Sequence, residues 1–115
     1  MCKINDVKLI VNEVYKSYKE IYGEKLDKVY LYGSYARGDY TEGSDIDIAA
    51  LVKADRQEVQ CELRKIWEKS HDLGLEYEVI ISPTAIPLNE FIAYKSILPY
   101  YRNIEKEGIL LGESA

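Results

Sequence analysis

The chain has 115 residues, 47% of them hydrophobic and 30% charged, with a formal net charge of −5. That length holds one domain with a real core and little room for a second, and the acidic balance argues against broad electrostatic binding to nucleic acid, which needs a basic surface. No apolar run approaches the roughly twenty residues of a membrane span, and the N-terminal stretch lacks a signal-peptide hydrophobic block and cleavage site, so a cytoplasmic location is the expectation.

In chain order, Ile4, Val7, Ile10, Val11, Val14, Tyr18 and Ile21 recur at helical spacing and predict an amphipathic helix over residues 4–22, with Gly23 as its stop. The apolar run 29–32 then reads as a short buried strand ended by Gly33. Ten residues separate Ser34 from Asp45, which opens Asp45-Ile46-Asp47, and the apolar run 48–52 makes a second strand. By the period of two, Asp45 and Asp47 project together while Ile46 and Ile48 face a core. Gly38-Asp39 and Glu42-Gly43 mark turns in the intervening loop. Its Thr41 and Ser44 either support the acid pair or are simply solvated, and Glu42 reads as solvated.

Asp55 followed by Glu58 reads as an N-cap with a capping-box partner. Val59, Leu63, Ile66 and Trp67 would form the inner face of a helix running to about His71, and Gly74 ends the connection. His71, the only histidine, then sits at a helix end, where a cation interacts well with the dipole, and reads as a surface residue. Residues 75–81 alternate as a third strand ended by Ser82-Pro83, with Glu76 and Glu78 on one face and Tyr77, Val79 and Ile81 on the other. A short helix over 89–95 follows, Pro99 opens a last helix through about Glu107, and residues 109–111 form an edge strand or a docked tail. Phe91, Tyr100 and Tyr101 are core or interface residues. Cys2, near the terminus, and Cys61, within a helix, give neither metal-ligand spacing nor a disulfide framework.

The chemistry concentrates between Gly33 and Asp47. Two neighbouring carboxylates repel unless a proton or a cation lies between them. Mg²⁺ takes oxygen ligands and needs only one or two protein carboxylates when substrate phosphates supply the rest. A glycine after a strand lets a phosphate approach main-chain N–H groups; Ser34 adds a hydroxyl and Arg37 a guanidinium suited to phosphate oxygens. No Gly-Lys-Ser/Thr makes this a P-loop, and no closing Glu makes it an EF-hand. An acidic turn between core strands would need none of Gly-Ser, Arg and a same-face acid pair together.

Gly33-Ser34, ten residues, then Asp45-x-Asp47, with Ala36-Arg37-Gly38 between, resembles the nucleotidyltransferase superfamily that includes DNA polymerase β, and more narrowly its minimal nucleotidyltransferase (MNT) branch. The resemblance covers nearly the whole chain, although only this signature is specific. It implies an α/β (α+β) fold in which helices flank a small mixed β-sheet, in one domain over residues 1–115. It also implies two Mg²⁺ ions on Asp45 and Asp47, and ATP held through Gly33, Ser34 and Arg37. The superfamily carries a third catalytic carboxylate, more often Asp, on a strand just before a buried run. Glu78 matches that place best as a catalytic and metal-binding residue, with Glu76 as runner-up.

Stand-alone members resemble the antitoxin of HEPN–MNT toxin–antitoxin systems, which implies transfer of AMP from ATP to a tyrosine of a HEPN ribonuclease toxin. Other expectations stay open beside it. One is modification of the chain's own Tyr35 or Tyr40. Another is a non-catalytic binding module that covers its partner. A third is a catalytic subunit modifying a small molecule such as an antibiotic. Neither direct nucleic-acid binding nor membrane association is expected, and homo- or hetero-oligomers fit equally.

Overall fold

The first helix forms as its apolar spacing predicts, α1 (Ile4–Tyr22), in a computed structural model that describes residues 4–113. Val7, Ile10, Val14, Tyr18 and Tyr22 of its inner face are buried in the main core. Each such side chain contributes at most about 1.5–3 kcal/mol. Gly23, at φ +58°, opens a 3₁₀ turn (Gly23–Lys25) that delivers the chain into β1 (Leu26–Tyr32), a strand beginning at Leu26 rather than Val29. Gly33 and the one-turn helix α2 (Ser34–Arg37) follow, and β2 (Ile46–Val52) returns antiparallel to β1.

The third predicted strand forms elsewhere. α3 (Arg56–Tyr77) starts at the Asp55 cap, whose carboxylate accepts from Glu58 N–H at 2.8 Å, but it runs past His71 and Gly74. Residues Val59, Leu63, Ile66, Ser70 and Gly74 make one continuous buried face, so the two small residues extend the helix instead of ending it. Glu78 closes the helix in the left-handed conformation (φ 56°, ψ 46°), and Val79 N–H turns back to Gly74 C=O at 3.0 Å. A Cβ on Gly74 would lie 2.5 Å from the Val79 carbonyl oxygen, which is why a glycine stands there. The strand is β3 (Ile81–Pro87), parallel to β2 and at the sheet edge, where prolines such as Pro83 leave no central ladder bond unmade. Trp67, expected inside, is 47% exposed, and His71 lies within the helix rather than at its end.

α4 (Leu88–Tyr94) and α5 (Pro99–Glu107) precede β4 (Ile109–Glu113), which pairs antiparallel with β1 and completes a four-stranded mixed sheet in the order β3-β2-β1-β4. Helices cover both faces. Val29, Leu31, Ile46, Ile48, Ala50, Ile81 and Ala85 pack with α1 and α3. Tyr30, Ala49, Leu51 and Ile86 pack with Phe91, Tyr101 and Ile104 of α4 and α5. Phe91 and Tyr101 are therefore core, whereas Tyr100 is 48% exposed. Tyr18 fastens α1 to the sheet, donating its hydroxyl to Thr84 C=O at 2.7 Å. Cys61 is an exposed free thiol on α3, as its helical placement implied; Cys2 lies outside the described residues. Among the described residues no helix is long and apolar enough to cross a membrane.

Candidate active site

One end of the sheet collects the signature residues. β1 ends at Tyr32, and Gly33 takes φ 76°, ψ −155°, a backbone state open essentially to glycine alone. That turn brings its Cα against the second acid: a Cβ there would overlap Asp47 Oδ2 and lie 3.3 Å from Cγ. Gly33 C=O then accepts from Ala36 N–H and Arg37 N–H at 3.1 and 3.0 Å, which winds α2. The Ser34 and Tyr35 N–H groups precede that helical ladder. Gly38, left-handed at φ 88°, closes the turn. Tyr35 and Tyr40 stack across the loop with ring centroids 4.4 Å apart. The far end of the loop is pinned where Thr41 N–H donates to Ser44 Oγ at 2.9 Å.

β2 opens directly after Asp45. Ile46 and Ile48 are fully buried in the main core, while Asp47 is half-buried on the opposite face, as alternation requires. Burial first, and then the charge of Asp45, push the Asp47 carboxyl above its ordinary value, and the positive charge of Arg37 partly offsets them. Arg37 itself is exposed and paired, with Nε 3.2 Å from Asp39 Oδ2 and Nη1 3.2 Å from Glu107 Oε2. Those partners hold its charge beside the acids and would have to be exchanged for phosphate oxygens. Tyr32 borders Asp47 and shares a 2.9 Å hydrogen bond with Tyr100; burial, that bond and the Asp47 charge keep its phenol protonated.

The pair fits a hard divalent cation. Two oxygen-donor carboxylates stand together, one made harder to ionise by the other, and the glycine backbone leaves the space beside Asp47 that any side chain would fill. Glu78 does not join them on a strand. It caps α3, Glu76 lies in that helix's last turn, and among the described residues no three acidic, histidine or cysteine side chains are placed to share one ion. The residue paired with Asp47 on β3 is Ser82, a hydroxyl rather than a carboxylate. Glu78 instead borders, with Asp45, a cavity of about 450 Å³ whose walls come from three separate segments, so no local pattern of residues announces it.

A glycine turn abutting paired acids at the mouth of a strand, in a mixed sheet covered by helices, defines a nucleotidyl-transfer domain. Residues 11–111 match the nucleotidyltransferase domain family, and the chain belongs to it. It is accordingly an enzyme of the nucleotidyltransferase class. Two proteins of Methanocaldococcus jannaschii are similar to it. "Putative protein adenylyltransferase MJ0141" is 43% identical over 74 residues, 64% of this chain and 73% of that protein. "Putative protein adenylyltransferase MJ0604" is 37% identical over 102 residues, 88% of this chain and 93% of that protein. The fold is shared with crystal structures of the toxin–antitoxin MntA-HpeT (TM-score 0.56, 20% identity, 90% of this chain and 73% of that one). It is shared as well with a toxin–antitoxin structure containing AMP-PNP (TM-score 0.55, 21% identity, 90% and 73% covered).

Proposed function

We propose that this chain transfers AMP from ATP to a tyrosine hydroxyl of a partner HEPN-type toxin, acting as an antitoxin by protein adenylylation. The observation that carries the reading is the contact of the Gly33 backbone with Asp47 beside Asp45, inside a nucleotidyltransferase domain. The relatives described as protein adenylyltransferases support the choice of nucleotide and of a protein acceptor, and the shared fold of the MntA-HpeT complexes supports a toxin as partner.

Asp45 and Asp47 are the residues that would hold the two Mg²⁺ ions. When bound, such ions neutralise triphosphate charge and acidify the acceptor hydroxyl. Gly33 and Ser34 hold the β- and γ-phosphates through main-chain N–H groups and the hydroxyl, with Arg37 exchanging its present carboxylates for them. The acceptor oxygen's lone pair forms the new bond to the α-phosphorus. The bond from that phosphorus to the β-bridging oxygen breaks, its pair leaves with pyrophosphate, and the hydroxyl proton passes to solvent. An acceptor with a phenol's pKa near 10 needs less help in losing that proton than an alcohol, in keeping with Ser82 rather than an acid opposite Asp47.

The test uses ATP labelled at the α-phosphate with Mg²⁺, purified protein and a lysate of the source cells, comparing wild type with Asp47→Asn on a denaturing gel. A labelled protein band with wild type only is the expected result. Its absence, with ATP still bound, would overturn the protein acceptor; absence of ATP binding would overturn the site.

A further inference from the structure

Arg37 is gripped by two carboxylates that are placed differently. Asp39, in the same loop, takes its Nε, and Glu107, the last residue of α5, takes its Nη1, each at 3.2 Å. The Asp39 side chain is 63% exposed, whereas that of Glu107 is 34% exposed and is set by the fold. A Cβ on Gly108 would overlap the Ile104 carbonyl oxygen and lie 3.0 Å from Tyr30 Cδ1, so α5 ends pressed against β1, with Glu107 directly before that contact. Tyr100 and Glu107 lie two turns apart on one face of α5. Tyr100 bonds Tyr32 beside Asp47, and Glu107 bonds Arg37. The helix therefore borders the site at two points.

The helix itself gains nothing from an acid at that position. Its last turn holds the negative end of the macrodipole, which favours a cation such as Lys106 and disfavours a carboxylate. The gain comes from Arg37, and Arg37 is a cation of the site. Its charge pulls the Asp47 carboxyl down, against the burial and the Asp45 charge that push it up. Two of the five N–H groups of its guanidinium are committed to carboxylate oxygens, acceptors of the same kind that a phosphate offers. A phosphate arriving at Arg37 meets Glu107 already there.

We infer that Glu107 is a positioning residue that acts through Arg37: in the nucleotide-free protein it holds the guanidinium beside the acid pair, and it competes there with the β- and γ-phosphates. This rests on the adenylyl-transfer reading, in which Arg37 binds those two phosphates, and deepens it by giving α5 a part in phosphate affinity. The competition weakens triphosphate and departing pyrophosphate alike, so it changes binding and leaves the chemical step untouched. It also favours product release, since the carboxylate returns to Arg37 as pyrophosphate leaves. AMP, which has no β- or γ-phosphate, is indifferent to it.

The full chain is titrated calorimetrically, with Mg²⁺ and at low ionic strength, with a non-hydrolysable ATP analogue, with pyrophosphate and with AMP. Glu107→Gln breaks one exposed ion pair and is expected to tighten the analogue and pyrophosphate about threefold, with AMP binding and thermal unfolding nearly unchanged. Glu105→Gln is the charge control. It removes the same charge from the same helix and also breaks an ion pair, that with Lys95, and should leave all three ligands as in wild type. Arg37→Ala should weaken the analogue and pyrophosphate, and on that background Glu107→Gln should add nothing. Equal effects of the two Gln substitutions, a matching gain for AMP, or a gain that survives Arg37→Ala would overturn the inference, because bulk charge would then account for it. Weaker analogue binding in Glu107→Gln would overturn it too, making the carboxylate an anchor for Arg37 rather than a competitor. An unchanged Glu107→Gln beside a weakened Arg37→Ala would sink this inference alone. Arg37→Ala binding the analogue like wild type would sink the assignment of Arg37 to the phosphates, and this inference with it.

Discussion

Gly33 is the position where backbone geometry and the acid pair are coupled most directly, and Gly33→Ala tests that coupling. At φ 76°, ψ −155° an alanine is strained by about 1–3 kcal/mol regardless of its neighbours. Its Cβ would also overlap Asp47 Oδ2 and sit 3.3 Å from Cγ, so the carboxylate must rotate or the turn must open. Gly38→Ala is the control, because Gly38 is also left-handed (φ 88°) but has nothing within 4 Å of its would-be Cβ. Its cost should be the conformational one alone, about 1–2 kcal/mol. Thermal unfolding should therefore show losses of a similar order, at about 4 °C per kcal/mol for a domain of this size. Function should separate the two. A shift of one acid by about an ångström is enough for a roughly 100-fold loss, so Gly33→Ala should lose Mg-ATP-dependent transfer while Gly38→Ala keeps it within a few-fold. The reasoning is refuted if Gly33→Ala binds Mg-ATP and transfers label like wild type, or if Gly38→Ala falls as far.

Three further outcomes follow from other contacts. The Asp47 carboxyl is raised above its ordinary value, so the fold disfavours its charged form, and without metal the protein loses stability as pH rises from the ordinary carboxylate range through the raised value. Asp47→Asn should remove that loss and, because the group is half exposed, stabilise the metal-free protein at neutral pH by under about 1 kcal/mol; denaturant melts with EDTA check this, and Mg-ATP should reverse the order. Tyr18→Phe removes the 2.7 Å hydrogen bond to Thr84 C=O in a fully buried setting and should cost about 1–2 kcal/mol with activity per folded molecule unchanged. Glu78, a helix cap rather than a strand residue, should tolerate Glu78→Gln with less than about a tenfold loss of transfer, against roughly 100-fold or more for Asp45→Asn. Equal losses in those two variants would restore a third catalytic carboxylate.

The acid pair and its glycine turn were legible because they are local. Strand, turn and strand lie within Leu26–Val52, and a two-residue period together with one glycine is enough to place Asp47 against Gly33, with Asp45 just ahead of the second strand. The last helix was legible for a similar reason, since Pro99 and Gly108 bracket α5, and of the two readings of residues 109–111 the edge strand is the one that forms. Residues 75–81 misread because two patterns compete there. Alternation of Tyr77, Val79 and Ile81 imitates a strand, whereas Ser70 and Gly74 continue the helix face at four-residue steps with side chains too small to count as apolar. Packing decides between them. The helix can run on because Gly74 admits the Val79 carbonyl, and the strand is displaced to Ile81, where two prolines conceal it from a propensity reading. That displacement takes Glu78 off the sheet and puts Ser82 opposite Asp47. It also opens the cavity between α3 and the site loop. The departure from the expected third carboxylate and the displacement of the strand to Ile81 are thus one structural event, produced by where α3 ends.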